Sequence, residues 1–334
     1  MWLLAAQYLR AGATIEAILD TTPRNNWLRA IRHAPEFLAL PYFGKGAALL
    51  AEVIRRVPII RRVEQLEATG AVAFREVAYR REDGSGGQIE AEWLLVHQGV
   101  VPNVNAAMAA GCLHSWDDDQ ACFHPKLDDW FESNVAGISI AGDGAGIRGA
   151  RAAESCGRIA ALGAVAKLGA ITSDTCDRRA RPHRRTLRHW SRGRAFLDLL
   201  HRPRASHRVP DDDILICRCE EITAGALRNV VRLGCPGPNQ AKAFLRCGMG
   251  PCQGRLCGLT VTEIMTDATG STPDAIGYYH IRPPIKPITL GQIASYPTSE
   301  DAIRSVVRDL PPGLSGAEIL ESADGGAVTT SAPS

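Results

Sequence analysis

Nowhere does the 334-residue sequence approach the ~20 uninterrupted apolar residues that a membrane-spanning helix needs, so no span is expected. It also lacks the parts of a secretory leader. Residues 2–9 are apolar, but no basic segment precedes them, no small-residue cleavage site follows, and Arg10 ends the run. An excess of one charge is missing too: 38 Lys and Arg against 36 Asp and Glu leave +2, too little to steer the whole chain to nucleic acid or lipid. With 45% apolar and 22% charged residues, the composition excludes disordered, collagen-like and miniprotein classes, and the length suits roughly two domains.

Cysteine is what the sequence has in excess. Six of the ten, Cys217, Cys219, Cys235, Cys247, Cys252 and Cys257, fall between positions 217 and 257, where even spreading would put about one. Without a leader these thiols are expected in a reducing cytoplasm, where clustered cysteines hold metal more often than they pair as disulfides. Cys217 and Cys219 follow a short strand-like run. Thr223 is placed to cap a helix ending at Gly234, Asn239 to cap a second helix ending at Cys247 and Gly248, and Cys252 to start a third. Four thiolates thus converge from loops at helix ends, as C-x-C and C-x4-C.

Soft anionic ligands of this kind suit zinc or an iron–sulfur cluster. Structural zinc sites pair cysteines two to four residues apart, so C-x-C points to a cluster. Gly248, Gly250 and Gly254 are expected to let backbone N–H groups face the cluster sulfurs, which raises the reduction potential. Four free thiols buried in a helical core would not explain their place beside Gly-rich loops. Cys235 and Cys257 are each a substitute ligand or a packed thiol, and Cys112, Cys122, Cys156 and Cys176 are expected to be structural.

Upstream, residues 2–9 have helical spacing, Gly12 is a stop, and a β-rich run from 14 to 19 closes on Asp20. In a dinucleotide-binding βαβ unit a Gly-rich turn opens the helix and a carboxylate ~20 residues on holds a ribose hydroxyl. Counting back from Asp20 puts that turn just before Met1, so the chain is expected to begin inside such a unit; an ordinary α/β start fits the same residues. A helix over 44–56 and three β-like runs at 57–70, 72–80 and 89–99, with turns at Gly70 and 83–87, follow. GISIAGDGAGIRG is more specific. A strand over 138–141 runs into Gly142, Asp143 and Gly144 and then a small-residue helix, where glycines let a cofactor approach and Asp143 can accept from a ribityl or ribose hydroxyl; the alternative is that Asp143 caps the helix.

Between positions 178 and 208 stand eleven arginines, four histidines and one acid, Asp198. With no stacking platform or recognition fold in view, this is expected to be an Arg-rich linker with a short helix around 197–200 rather than a nucleic-acid site. His97, His114 and His124 lie near the GISIAGDGAGIRG segment, where surface or core roles serve lone histidines equally well.

CRCEEIT, NQAKAFLRCGMGPCQGRLCG and the tail IRPPIKPITLGQIA closely resemble the 2Fe-2S module of the bacterioferritin-associated-ferredoxin-like (BFD-like) class. The resemblance is to the form fused to FAD/NAD(P)-binding subunits of opine oxidases, hydrogen cyanide synthase and related proline or hydroxyproline dehydrogenases. It extends over residues 1–296 through LLAAQYLRAGATIEAILDTTPR, GVVPN and IAGDGAGIRGARAAESCGRIAA. It implies an α/β fold: a partial Rossmann-like, glutathione-reductase-type FAD/NAD(P)-binding domain over 1–170, a linker over 171–212, a small all-α BFD-like 2Fe-2S domain over 213–270, and a C-terminal extension over 271–334 with a disordered tail. It also implies Cys217, Cys219, Cys247 and Cys252 as cluster ligands and Asp143 in the second flavin-contact motif, while the residue pattern itself offers Gly142, Gly144 and Asp20 as further cofactor contacts.

Family members begin with a complete FAD-binding βαβ unit, and a second Gly-rich loop precedes the residues matching 3–20. Neither is in this sequence, so the chain is expected to be the C-terminal part of such a protein. The implied function is electron transfer, through FAD, a 2Fe-2S cluster and NAD(P), in a heteromeric amine, imino-acid or opine dehydrogenase. Its implied partners are a small ferredoxin-like subunit, and an FAD-dependent amino-acid-oxidase-like subunit, in the cytoplasm or at a membrane through that complex. The alternative is a non-catalytic cluster-binding or redox-sensing module.

Overall fold

The computed structural model describes residues 1–295. Contacts divide the chain into Met1–Ile285 and Lys286–Ser334. In the first unit, α1 (Trp2–Arg10) leads to β1 (Ile18–Asp20). Helices α2 (Arg24–Ala30), α3 (Ala34–Leu38) and α4 (Pro41–Ile54) then carry the chain over to β2 (Ile59–Arg61). β2 lies parallel to β1, with Ile18 opposite Ile59 and Asp20 opposite Arg61. Parallel strands cannot be joined by a tight turn, and the helical crossover supplies the connection. Ala5 and Ala6 bring α1 close enough to bury Ile18, Val53 and Val57 beneath it.

The expected meander forms as β3 (Val63–Thr69), β4 (Glu76–Arg81) and β5 (Gly86–Glu90), all antiparallel. Its second turn is closed by Asp83, whose Oδ1 accepts from the Ser85 N–H at 3.0 Å. The third β-like run does not become the strand expected over 89–99. β5 ends at Glu90 opposite Glu76, the first residue of β4; one more bond, from the Ala91 N–H to the Arg75 carbonyl at 3.1 Å, follows, and among the described residues no partner backbone continues the ladder beyond it. Trp93, Leu95 and Val96 are left 81%, 66% and 75% exposed.

After α5 (Asn105–Ala109) comes the hairpin β6 (His114–Asp117) and β7 (Cys122–Pro125). The strand expected over 138–141 shrinks to one bridge, Glu132 to Ser139, and a 3-10 turn, Gly142–Ala145, precedes α6 (Ala150–Lys167). The Arg-rich segment, expected as a linker with one short helix, is largely helical. It forms α7 (Ser173–Ser191), whose Thr172 cap accepts from the Thr175 N–H at 3.3 Å. Cys176, Ala180 and Leu187 recur at helical spacing, giving α7 an apolar stripe; Leu187 packs on Cys156, Ile159 and Ala160 of α6. Arg178, Arg179, Arg181, Arg185 and Arg188 occupy the exposed faces, whereas Arg184, one turn past Ala180, stays on the stripe and lies 4.4 Å over the Trp130 ring.

The helix expected near 197–200 is α8 (Arg194–Leu200), whose Phe196 stacks on Phe37 at 4.7 Å. α9 (Ala205–Arg208) follows, and Arg208 pairs with the buried Glu263 of the cysteine region. That region holds β8 (Leu215–Cys217), β9 (Ile222–Thr223), α10 (Ala224–Arg232), α11 (Pro238–Leu245), α12 (Gly258–Thr269) and α13 (Pro273–Ile276). Thr223 caps α10 as expected, accepting from the Ala226 N–H at 3.2 Å. Leu227 of α10 and Val261, Ile264 and Met265 of α12 fill the core between these helices.

In the second unit α14 (Leu290–Ala294) begins with a capping box between Thr289 and Gln292. The expected disordered tail, from 296 onward, lies outside the described residues. Among the described residues no single helix is long and apolar enough to cross a membrane; a bent pair, Arg24–Leu38 with Tyr42–Ile54, passes on length and composition.

Ile264 is fully buried, so Ile264→Ala should destabilise the fold by about 2–5 kcal/mol. The check is the urea midpoint followed by near-ultraviolet circular dichroism; an unchanged midpoint would contradict this core.

Candidate functional site

Local backbone geometry gathers the cysteines. β8 ends on Cys217, which faces the core, and the turn back into β9, with Glu221 at φ 53°, leaves Cys219 exposed. α11 ends when Arg246 adopts the left-handed conformation, φ 58°, which swings Cys247 inward. Arg246 Nε donates to Glu220 Oε2 at 3.0 Å, tying the two cysteine loops together. Two helix starts differ from the sequence expectation. Pro238, with no N–H to satisfy, takes the first turn of α11 and moves the cap to Gly237. Asn239 instead clamps the following chain: its Oδ1 accepts from the His280 N–H at 2.7 Å and its Nδ2 donates to the Tyr278 carbonyl at 3.2 Å. Cys252 lies in the loop, and Cys257 is the residue that opens α12.

The Sγ atoms of Cys217, Cys247 and Cys257 lie within 4.8 Å of one another, all buried. Cys219 and Cys252 are neighbours beside this trio, each acting on the other's titration, and Cys217 is near enough to act on Cys219. Four of these five are the expected ligands, and the fifth is the substitute candidate Cys257. Cys235 lies apart, with Sγ 3.5 Å from the Gly237 carbonyl, and reads as a packed thiol.

Neighbours divide the protons unequally. Donation from the Cys257 thiol, followed by the Tyr279 hydroxyl, holds Cys247 below the usual thiol range against the effect of burial. Cys257 is pushed well above that range by the same contact and by burial. Burial raises Cys252, but the Leu256 N–H, the Cys219 thiol and the N–H groups of Gly254 and Arg255 outweigh it, and the net direction is down. Cys219 is lowered by the Cys252 N–H, yet the Cys252 thiol, desolvation and the charges of Cys252 and Cys217 leave it raised. A sulfur-only donor set in which neighbouring thiolates oppose one another suits a cationic metal group, whose charge removes the repulsion.

Tyr279, one of the largest fully buried side chains, sits among these sulfurs. Its hydroxyl donates to Cys247 Sγ at 3.3 Å and lies 3.7 Å from Cys257 Sγ. The ring presses on Gly248 and Gly254, which have φ 82° and 76°; a Cβ on either would stand 2.5 Å from ring carbon. The glycines therefore have a second task beyond the one expected. Gly254 is among the backbone N–H groups that lower Cys252, while Gly248 and Gly254 make room for the tyrosine and Gly250 makes room for Cys219. Sequence reasoning missed Tyr279, although the Tyr-Tyr pair just before the IRPPIKP segment was in plain view. It also missed that Asn105, two residues past GVVPN, donates to the Gln253 carbonyl at 2.9 Å and so joins that segment to the cysteine loop.

The other cofactor candidates lie elsewhere. Gly142, Asp143 and Gly144 form the 3-10 turn with Asp143 exposed. Asp143 does not cap α6, whose cap position is Gly149 at φ 89°. Asp20 lies at the carboxyl end of β1, its Oδ1 accepting from the Thr22 N–H at 3.0 Å. It lines a cleft of about 680 Å³ with Arg24, Trp27, Arg61, Arg62, Tyr79 and Arg81. A carboxylate at a parallel strand end, beside guanidiniums and aromatic rings, can hold a sugar hydroxyl, phosphate and a flat ring. The 142–144 turn does not line this cleft.

The sarcosine oxidase A3 domain family matches residues 214–296, which contain all five gathered cysteines. The opine oxidase A subunit of Rhizobium meliloti is 42% identical over 92% of this chain and 58% of its own length. The corresponding opine oxidase A subunit of Agrobacterium tumefaciens is 42% identical over 92% of this chain and 61% of its own length. Hydrogen cyanide synthase subunit HcnB of Pseudomonas protegens is 29% identical over 65% of this chain and 45% of its own length. The crystal structure of L-proline dehydrogenase from P. horikoshii, at 20% identity, matches with a TM-score of 0.56 over 74% of this chain and 48% of that one, in accord with the expected α/β class. The chain spans about three-fifths of the length of these opine oxidase A subunits. Over 92% of its length the chain is thus similar to the opine oxidase A subunits, a similarity that supports an FAD-dependent oxidoreductase family.

Proposed function

We propose that this chain is the electron-transferring part of a heteromeric amine, imino-acid or opine dehydrogenase, with Cys217, Cys219, Cys247 and Cys252 holding a 2Fe-2S cluster. The observation that carries this reading is the gathering of five sulfurs, without a histidine or carboxylate among the buried trio. When bound, such a cluster carries one electron at a time, whereas a flavin takes two as a hydride, so the pair links substrate oxidation to a one-electron acceptor.

The chain's own residues divide the work. Residues 213–270 hold the cluster, with backbone N–H groups of the 254–256 loop aimed at Cys252 and the Cys257 thiol donating to Cys247. Residues 1–170 supply the flavin side: Gly142, Asp143 and Gly144 as an open turn for FAD, and Asp20 with its arginine-lined cleft for NAD(P). The Asn105 to Gln253 bond keeps the flavin-side segment against the cysteine loop. The substrate amine is handled by an amino-acid-oxidase-like partner subunit, with a small ferredoxin-like subunit completing a cytoplasmic hetero-oligomer.

Anaerobically purified chain is expected to show 2Fe-2S absorption with two irons and two sulfides per chain. One zinc per colourless chain would sink the cluster assignment, and full amine turnover with no partner present would sink the subunit role. Single serine substitutions at Cys217, Cys219, Cys247 or Cys252 should each cost most of the iron, while Cys235→Ser and Cys257→Ser keep it. Iron lost with Cys257→Ser but kept with Cys252→Ser would move the fourth ligand to Cys257. Asp143→Ala should lower the flavin content measured after denaturation, leaving iron unchanged; equal flavin in both proteins would remove Asp143 from the site.

A further inference from the structure

Tyr279 is buried at 1% exposure and its hydroxyl has sulfur for neighbours: Cys247 Sγ at 3.3 Å and Cys257 Sγ at 3.7 Å. Its place is built rather than incidental. Two glycines with left-handed backbone make room for the ring, and nothing larger than hydrogen fits at either without meeting it. Asn239 fastens the backbone on both sides, through the Tyr278 carbonyl and the His280 N–H. Lys242 bonds the His280 carbonyl at 2.9 Å and brings its ammonium to 4.8 Å from the centre of the Tyr279 ring. A cation over an aromatic face draws electron density from the ring and makes its hydroxyl a stronger donor.

We infer that the Tyr279 hydroxyl, polarised by Lys242, is the hydrogen-bond donor to Cys247 that raises the reduction potential of the group this cysteine holds. Resting on the cluster assignment above, this makes Tyr279 a positioning residue that acts through Cys247. Hydrogen bonds to ligand sulfur withdraw charge from it and favour the reduced, more negative state. A phenol suits this buried place because it donates without bringing a charge, and burial from water strengthens the bond.

The test uses the full chain reconstituted anaerobically with iron and sulfide. In Y279F the ring still fills the space between the glycines and only the O–H is lost. The expected result is cluster content equal to the parent, a midpoint potential shifted negative, and an iron–sulfur stretching band moved to higher frequency in the resonance Raman spectrum. A Y279F chain with the parent's potential and spectrum overturns the inference while leaving the cluster assignment standing. A parent chain that takes up no iron and sulfide overturns the assignment first. Should Y279F fail to fold, K242M supplies the measurement: a smaller negative shift supports the inference, and an unchanged potential overturns it.

Discussion

Five sulfur atoms gathered at the ends of short helices and strands, three of them buried together, set the terms for the rest of the cysteine region. Thiols at this spacing cannot all ionise, because each thiolate raises the cost of the next and burial removes the water that would screen them. The structure meets that constraint with donors. Cys247 accepts from Cys257 and Tyr279, and Cys252 accepts from the 254–256 backbone. Gly250, Gly248 and Gly254 serve the same end by letting backbone and ring come close where a side chain would hold them apart. The helices around them are short, so their stability comes from packing Leu227, Val261, Ile264 and Met265 rather than from length.

The cysteine region is also fastened to the chain upstream of it at several separate points. Asn105 reaches the Gln253 carbonyl, Asp274 accepts from the Trp116 N–H at 2.9 Å, and Phe123 meets Tyr278 edge to face at 5.8 Å. Arg208 adds an ion pair to Glu263, which is buried and would otherwise be a bare charge. Residues on both sides of the arginine-rich helix thus belong to one compact unit by their contacts.

How far the sequence foretold this depended on whether a signal was local. Strand, helix and cap assignments resting on neighbouring residues held where backbone chemistry decided them, as at Thr223 and in the β3 to β5 meander. Asn239 went astray because Pro238 competes for the helix start, and the 89–99 strand because a ladder needs a partner that ends at Glu76. α7 was hidden by composition: its arginines dominate the count, while its apolar stripe of Cys176, Ala180 and Leu187 amounts to three residues. Tyr279 could not be found from spacing, since 32 residues separate it from the sulfur it touches. The cysteines were legible because glycine and cysteine alternate in one short loop; which of them meet was not, because that depends on Arg246 turning left-handed.

The exposed run beyond β5 bears on handling as much as on architecture. Trp93, Leu95 and Val96 are bulky or β-branched, and residues 93–101 belong to no strand. Apolar backbone outside any ladder is a template for sheet growth between molecules, most of all at high concentration. Association between chains is therefore expected to start at this segment, since a net charge of +2 is too small to keep molecules apart. A lysine at Leu95 would interrupt that template at a position that packs against nothing in the core.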